Sequence, residues 1–198
     1  MTLLGLDFDN TLVCYDDLFH QLALEKDLIP DNISADKIVI RDYLRGQGRD
    51  EDFTLLQGEV YGLRILDAKP AEGMLNALKD LQLIGIEMAL VSHKTHFPYK
   101  GPRYDLHRAA MSWLEHNSFF SEQGLNWSTN QVYFEATKVD KVRRINLLKC
   151  THYVDDLPEI IHMLPEFIKK ILYDPGKKYS LNSCLTIADW SEISTYII

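Results

Sequence analysis

Apolar residues follow two rhythms along this chain. Short, nearly continuous apolar runs at residues 3–8, 86–91, 132–135, 152–155, 170–173 and 184–187 predict strands. Runs of this kind suit strands covered on both faces. Between them, apolar positions recur every three or four residues, which predicts amphipathic helices. Leu18, Phe19, Leu22 and Ala23 mark one helix, with Asp16 or Asp17 as its expected cap. Ile38, Val39 and Tyr43 mark a second, with Ser34 as its cap, and Phe53, Leu56, Val60 and Leu63 mark a third. Met74, Leu75, Leu78 and Leu81 predict a helix that starts at Pro70 or Ala71 and stops at Gly85. Leu106, Ala109, Ala110, Trp113 and Leu114 form the stripe of another, capped by Asp105. Residues 138–148, 157–164 and the last ten or so complete the helices, while 117–130 read as irregular.

Strands that alternate with helices predict an α/β fold with a mainly parallel sheet. Right-handed crossovers put the carboxyl ends of such strands on one sheet edge, and ligands bind there, near the point where strand order reverses. Each chemically suggestive group in this chain follows a strand: Asp7 and Asp9, then Ser92, then Asp155 and Asp156. Strand side chains alternate, so Asp7 and Asp9 leave the chain on the same side. Two close carboxylates repel unless a cation lies between them. Oxygen ligands of this type predict a hard divalent ion, Mg²⁺. Turn chemistry explains Asn10 but not Asp7, which sits inside the apolar run.

Composition narrows the function classes. A formal net charge of −8 argues against general affinity for nucleic acid phosphates. Cys14, Cys150 and Cys184 have no metal-ligand spacing and read as reduced thiols, which predicts a cytoplasmic protein. The first residues show no basic, apolar leader pattern, and no run is long enough to span a membrane. The seven histidines lack zinc spacing, and no Gly-rich phosphate loop is present.

With these residues in place, the sequence resembles the haloacid dehalogenase (HAD) superfamily of phosphotransferases. DFDNTLV is similar to its DxDxT motif at Asp7, Asp9 and Thr11. LVSHKT is similar to the second motif at Ser92, and HYVDDLPEI to the fourth, an acidic pair after an apolar strand. Lys138, at the head of a helix before the fourth motif, is taken as the motif lysine in preference to Lys141 one turn on. The resemblance implies a three-layer Rossmann-like core at 1–14 and 69–198, with residues 15–68 as a small helical cap of the C1 type.

It also implies roles. Asp7 would attack phosphorus, and Asp9 would protonate the leaving oxygen and later deprotonate water. Mg²⁺ would be held by the Asp7 carboxylate, the Asp9 backbone carbonyl and Asp156, with Asp155 as a second ligand or in the outer shell. Ser92 would donate to a phosphoryl oxygen and Lys138 would offset transition-state charge. Thr11 would support the loop and, with Asn10, face the phosphate. His93 and Lys94 open a locally cationic loop and are expected to bind the phosphate or another anion. An acid two residues after the nucleophile goes with phosphatases and phosphomutases in this superfamily, whereas dehalogenases lack it. The expectation is therefore a Mg²⁺-dependent hydrolase of a small phosphorylated metabolite, without nucleic acid or membrane partners. A phosphotransferase or mutase, or a non-catalytic binding module, are the alternatives.

Overall fold

The computed structural model describes residues 2–181 and 183–197. Along the chain run β1 (Leu3–Leu6), β2 (Val13–Cys14), α1 (Asp16–Glu25), α2 (Lys37–Gly46), α3 (Asp50–Gly58), β3 (Lys69–Pro70), α4 (Met74–Leu83) and β4 (Glu87–His93). Then follow α5 (Leu106–His116), β5 (Val132–Glu135), α6 (Lys138–Leu147), β6 (His152–Asp155), α7 (Pro158–Met163), β7 (Lys169–Tyr173), β8 (Leu185–Ile187) and α8 (Ile193–Ile197).

Two compact units emerge. The first comprises Met1–Val13, Pro70–Lys94 and Asn117–Ile198. Its sheet has the order β5-β4-β1-β6-β7-β8, and every neighbouring pair is parallel. From β1 the chain builds outward through β4 and β5, then returns to place β6, β7 and β8 on the other side. The reversal therefore falls between β1 and β6, where an open α/β sheet presents its binding crevice. Val91, Ile145, Cys150, Tyr153, Ile160, Ile161, Leu164, Ile168 and Leu172 form one apolar cluster on this sheet.

Several boundaries differ from the expectation for local reasons. β1 stops at Leu6 rather than at residue 8, because the backbone turns: Leu12 and Val13 N–H both donate to the Phe8 carbonyl, and Asn10 has φ 57°. β4 instead runs on to His93, since β5 pairs with it through Ser92↔Phe134 and His93↔Glu135. The helix expected from Pro70 starts at Met74, after Gly73 turns the chain with φ 73°. Asp36, not Ser34, caps α2, accepting from the N–H groups of Ile38 and Val39. Tyr15 stands at the N-cap of α1 without a side-chain bond, and Asp16 and Asp17 lie in its first turn.

The second unit comprises Cys14–Lys69 together with Thr95–His116. α1, α2 and α3 bury Phe19, Leu22, Ile40, Leu44, Phe53 and Leu56, and Phe19 stacks on Phe53. The expected core segment 69–198 includes residues 95–116. Here α5 turns its apolar stripe to this unit, with the Trp113 indole donating to the Ala68 carbonyl at 2.8 Å. Arg41, Arg45 and Arg49 each pair with a carboxylate of the same unit, Asp42, Asp50 and Asp52. Lys100 likewise pairs with Glu51, and Arg103 lies 4.1 Å over the Phe97 ring. Much of the positive charge expected of the loop after Ser92 is thus engaged within this unit. Among the described residues no helix is long and apolar enough to cross a membrane.

Candidate active site

The site forms at the carboxyl ends of β1, β4 and β6, within the first unit. Asp7 follows β1 and is buried, its N–H still paired with the Val154 carbonyl at 3.0 Å. Ser92, near the end of β4, donates to Asp7 Oδ1 at 2.9 Å. Thr11 is buried and donates to the other oxygen, Oδ2, at 3.4 Å. Asp155 ends β6 at 0% exposure, and its Oδ1 accepts the Leu157 N–H at 2.9 Å. Oxygen atoms of Asp7, Asp155 and half-buried Asp156 all lie within 4.8 Å of one another. The Asp9 side chain is not part of that group. It turns instead to Lys94, whose ammonium donates to both Asp9 oxygens at 2.8 and 2.9 Å.

The cation between Asp7 and Asp155 is Lys141. Only 1% exposed, it donates to Asp7 Oδ1 at 2.5 Å and to Asp155 Oδ2 at 2.6 Å. Lys138 is elsewhere. Its side chain, half-buried, pairs with Glu159 of α7. The choice of motif lysine is corrected accordingly, and the helix explains why. α6 buries Lys141 and Ile145, four residues apart and on one face. Lys138 is the first helical residue, placed by the Thr137 cap at the solvent end. A lysine in register with the buried isoleucine was the available signal, and position at the helix head was the weaker one.

Burial sets the charges. It pushes the Asp155 carboxyl up, to about 7, as does the Asp7 charge, while Lys141 pulls it down. Burial alone would lower the Lys141 ammonium, but Asp155 and Asp7 outweigh it and hold that ammonium above its usual value. Lys141 is therefore charged. The Tyr153 phenol, driven far up by burial and by the nearby carboxylates, stays neutral and donates to the Val91 carbonyl.

Of the remaining expected residues, Lys94 reaches the site and is 4% exposed, with its ammonium also 5.3 Å from the Phe8 ring centroid. Asn10 takes the left-handed turn position beside Asp9. The His93 ring is directed to the Ala136 carbonyl at 3.1 Å, so the structure does not bring it into the carboxylate group. Lys141 pairs with Asp7 and Asp155, Asp156 lies in the same group, and each of these three candidate metal donors is a hard carboxylate oxygen. Such a set fits a divalent cation of the Mg²⁺ type.

A Rossmann-like α/β sheet with an acidic site at its reversal point defines the class of this protein. More narrowly, its fold is that of the HAD-superfamily hydrolases. A HAD-superfamily hydrolase from Ehrlichia chaffeensis is similar at TM-score 0.56 and 14% identity, over 100% of this chain and 97% of that one. A subfamily IA hydrolase from Geobacter sulfurreducens is similar at TM-score 0.58 and 13% identity, again over 100% and 97%. A phosphoserine phosphohydrolase-like protein from Francisella tularensis is similar at TM-score 0.58 and 13% identity, over the full length of both. No family model matches the sequence, and no curated protein matches it. The likeness is one of fold.

Proposed function

We propose that this chain is a Mg²⁺-dependent phosphomonoester hydrolase acting on a small phosphorylated metabolite through an aspartyl-phosphate. The observation that carries this reading is the setting of Asp7: a buried carboxylate that meets Ser92, Thr11 and Lys141 at the reversal point of the sheet. Structural neighbours described as hydrolases, one of them phosphoserine phosphohydrolase-like, support the reaction class.

The Asp7 oxygen forms a bond to phosphorus as the ester oxygen leaves with a proton from Asp9. Water then attacks the same phosphorus, Asp9 takes the proton, and the Asp7–phosphorus bond breaks to release phosphate. Lys141 takes the part expected of Lys138: it holds Asp7 in place and balances the charge that grows on the phosphoryl oxygens. Ser92 donates to one of those oxygens. Lys94 holds Asp9 in the free protein, and an incoming phosphate competes for its ammonium, leaving Asp9 ready to carry a proton. Asp7, Asp155 and Asp156 would hold the Mg²⁺. When bound, the ion supplies Lewis-acid stabilisation of the transferring group and offsets the repulsion between an anionic nucleophile and an anionic substrate.

The residue inventory favours hydrolysis over dehalogenation, since only an oxygen leaving group needs the proton of Asp9. The three cysteines are free, which supports a cytoplasmic setting. The test is turnover of para-nitrophenyl phosphate with and without Mg²⁺. The wild-type chain is expected to release phosphate only with the ion, and Asp7→Asn to release none. Full activity in Asp7→Asn, or without any divalent ion, would overturn the proposal.

A further inference from the structure

Tyr153 is fully buried. It lies in β6, in register with Gly5 of β1, and its ring crosses the position where a Gly5 side chain would project. A Cβ on Gly5 would come within 2.5 Å of the ring carbon Cδ2. The missing side chain lets the ring pass over β1 to the far neighbour, where the phenol donates to the Val91 carbonyl of β4 at 2.5 Å. One side chain thus ties three adjacent strands. Each of those strands carries a site residue one or two positions further on: Ser92 after Val91, Asp7 after Gly5, and Asp155 after Tyr153. The Lys141 ammonium lies 5.6 Å from the centroid of the same ring, within range of a cation–π contact.

We infer that Tyr153 is a positioning residue for phosphoryl transfer, fixing β4, β1 and β6 relative to one another and giving Lys141 an aromatic floor. The bond to Val91 sets the spacing of Ser92 from Asp7, while the ring prevents Lys141 from sinking away from Asp7 and Asp155. Packing in a sheet core does not by itself require the hydroxyl, and an aliphatic residue would not need the gap at Gly5. The inference rests on the reading of Asp7, Ser92 and Lys141 as the groups that act on phosphorus.

The experiment compares Tyr153→Phe, Tyr153→Leu and the double variant Gly5→Ala/Tyr153→Leu, with kcat and KM expressed per folded molecule. Loss of the hydroxyl alone is expected to lower kcat about fivefold. Loss of the ring is expected to lower it about a hundredfold, with KM changing far less, since misplacement of reacting groups acts on the transition state. The double variant refills the gap and is expected to regain thermal stability but not kcat. Wild-type kcat in Tyr153→Leu, or recovery of kcat in the double variant, would overturn the inference.

A second readout does not depend on turnover. The ¹⁵N signal of the Lys141 ammonium, protected by burial and two carboxylates, is expected to shift and to exchange faster in Tyr153→Leu, and to stay in place in Tyr153→Phe. An unmoved Lys141 signal in Tyr153→Leu would overturn the inference whether or not the protein hydrolyses a phosphate ester. A wild-type chain inactive on every ester would instead overturn the proposed function and leave this readout to decide the role of Tyr153.

Discussion

The two units pair cations with aspartates in opposite settings. In the second unit, Arg41, Arg45 and Arg49 meet Asp42, Asp50 and Asp52 near the surface, with the Arg45 and Asp50 side chains 53% and 64% exposed. In the first, Lys141 meets Asp7 and Asp155 with side chains 2%, 5% and 0% exposed. Water screens the first set, and holding long side chains in one geometry offsets much of the attraction. The second set has lost its water and depends on its partners, so removing one leaves a buried charge uncompensated. Charge in a sequence is therefore a poor guide to chemistry until burial is known.

Removing Lys141 should produce the largest effect. Lys141→Ala is expected to cost roughly 3–5 kcal/mol of stability, as for a broken buried pair, and about a thousandfold in kcat. Chemical denaturation and aryl phosphate turnover would measure the two. Bound divalent ion should recover part of the stability and little of the rate. A variant that kept wild-type kcat would break the contrast between the units.

Next comes Lys94, which is buried against Asp9 yet stands outside the Asp7–Asp155–Asp156 group. Lys94→Ala is expected to reduce kcat/KM about ten- to a hundredfold, through the loss of one charged contact to phosphate. Unchanged kcat and KM would remove Lys94 from the site.

The pH dependence sharpens the same contrast. Asp155 holds its proton to about 7 in the folded chain, above the ordinary carboxylate value of about 4. In that window the folded state binds more protons than the unfolded one, so metal-free protein loses stability as pH rises from about 4 to about 7. Thermal melts of metal-free protein should show that fall, and Asp155→Asn should reduce it. Excess Mg²⁺ should also reduce it, because the ion favours the ionised form. A flat profile would mean that burial does not govern Asp155.

The smallest effects should come from Lys138→Ala and Arg45→Ala. Each breaks a pair with substantial solvent exposure, and about 0–1 kcal/mol is expected, with kcat within about twofold of wild type. A large rate loss in Lys138→Ala, with Lys141→Ala near normal, would reverse the assignment of the motif lysine.

Much of the fold is legible in the sequence. The apolar runs mark the six sheet strands, and Asp7, Ser92 and Asp155 stand out because each lies at or next to the end of such a run. What was hidden depended on tertiary partners. Lys138 and Lys141 differ by less than one helical turn, and only the burial of Ile145 on the opposite end of that face separates them. The pattern at 106–114 announced an amphipathic helix but not its partner, which proved to be Cys14–Lys69. Tyr153 lies in one apolar run and Gly5 in another, with nothing local to set either apart. That the two are complementary, ring over gap, follows from the register of β1 against β6 and from no local signal.

The central claim is that Asp7 receives the phosphoryl group. Asp9→Asn leaves Asp7, Ser92 and Lys141 in place but removes the base that activates water, so the covalent form should accumulate. Asp9→Asn would be mixed with Mg²⁺ and an aryl phosphate, quenched in acid and mapped by peptide mass spectrometry. The account predicts one added phosphoryl group on the peptide that carries Asp7, absent from Asp7→Asn/Asp9→Asn treated in the same way. Aryl phosphate turnover by the wild type without phosphorylated Asp7 in this trap, or with the phosphoryl group on another residue, would contradict it.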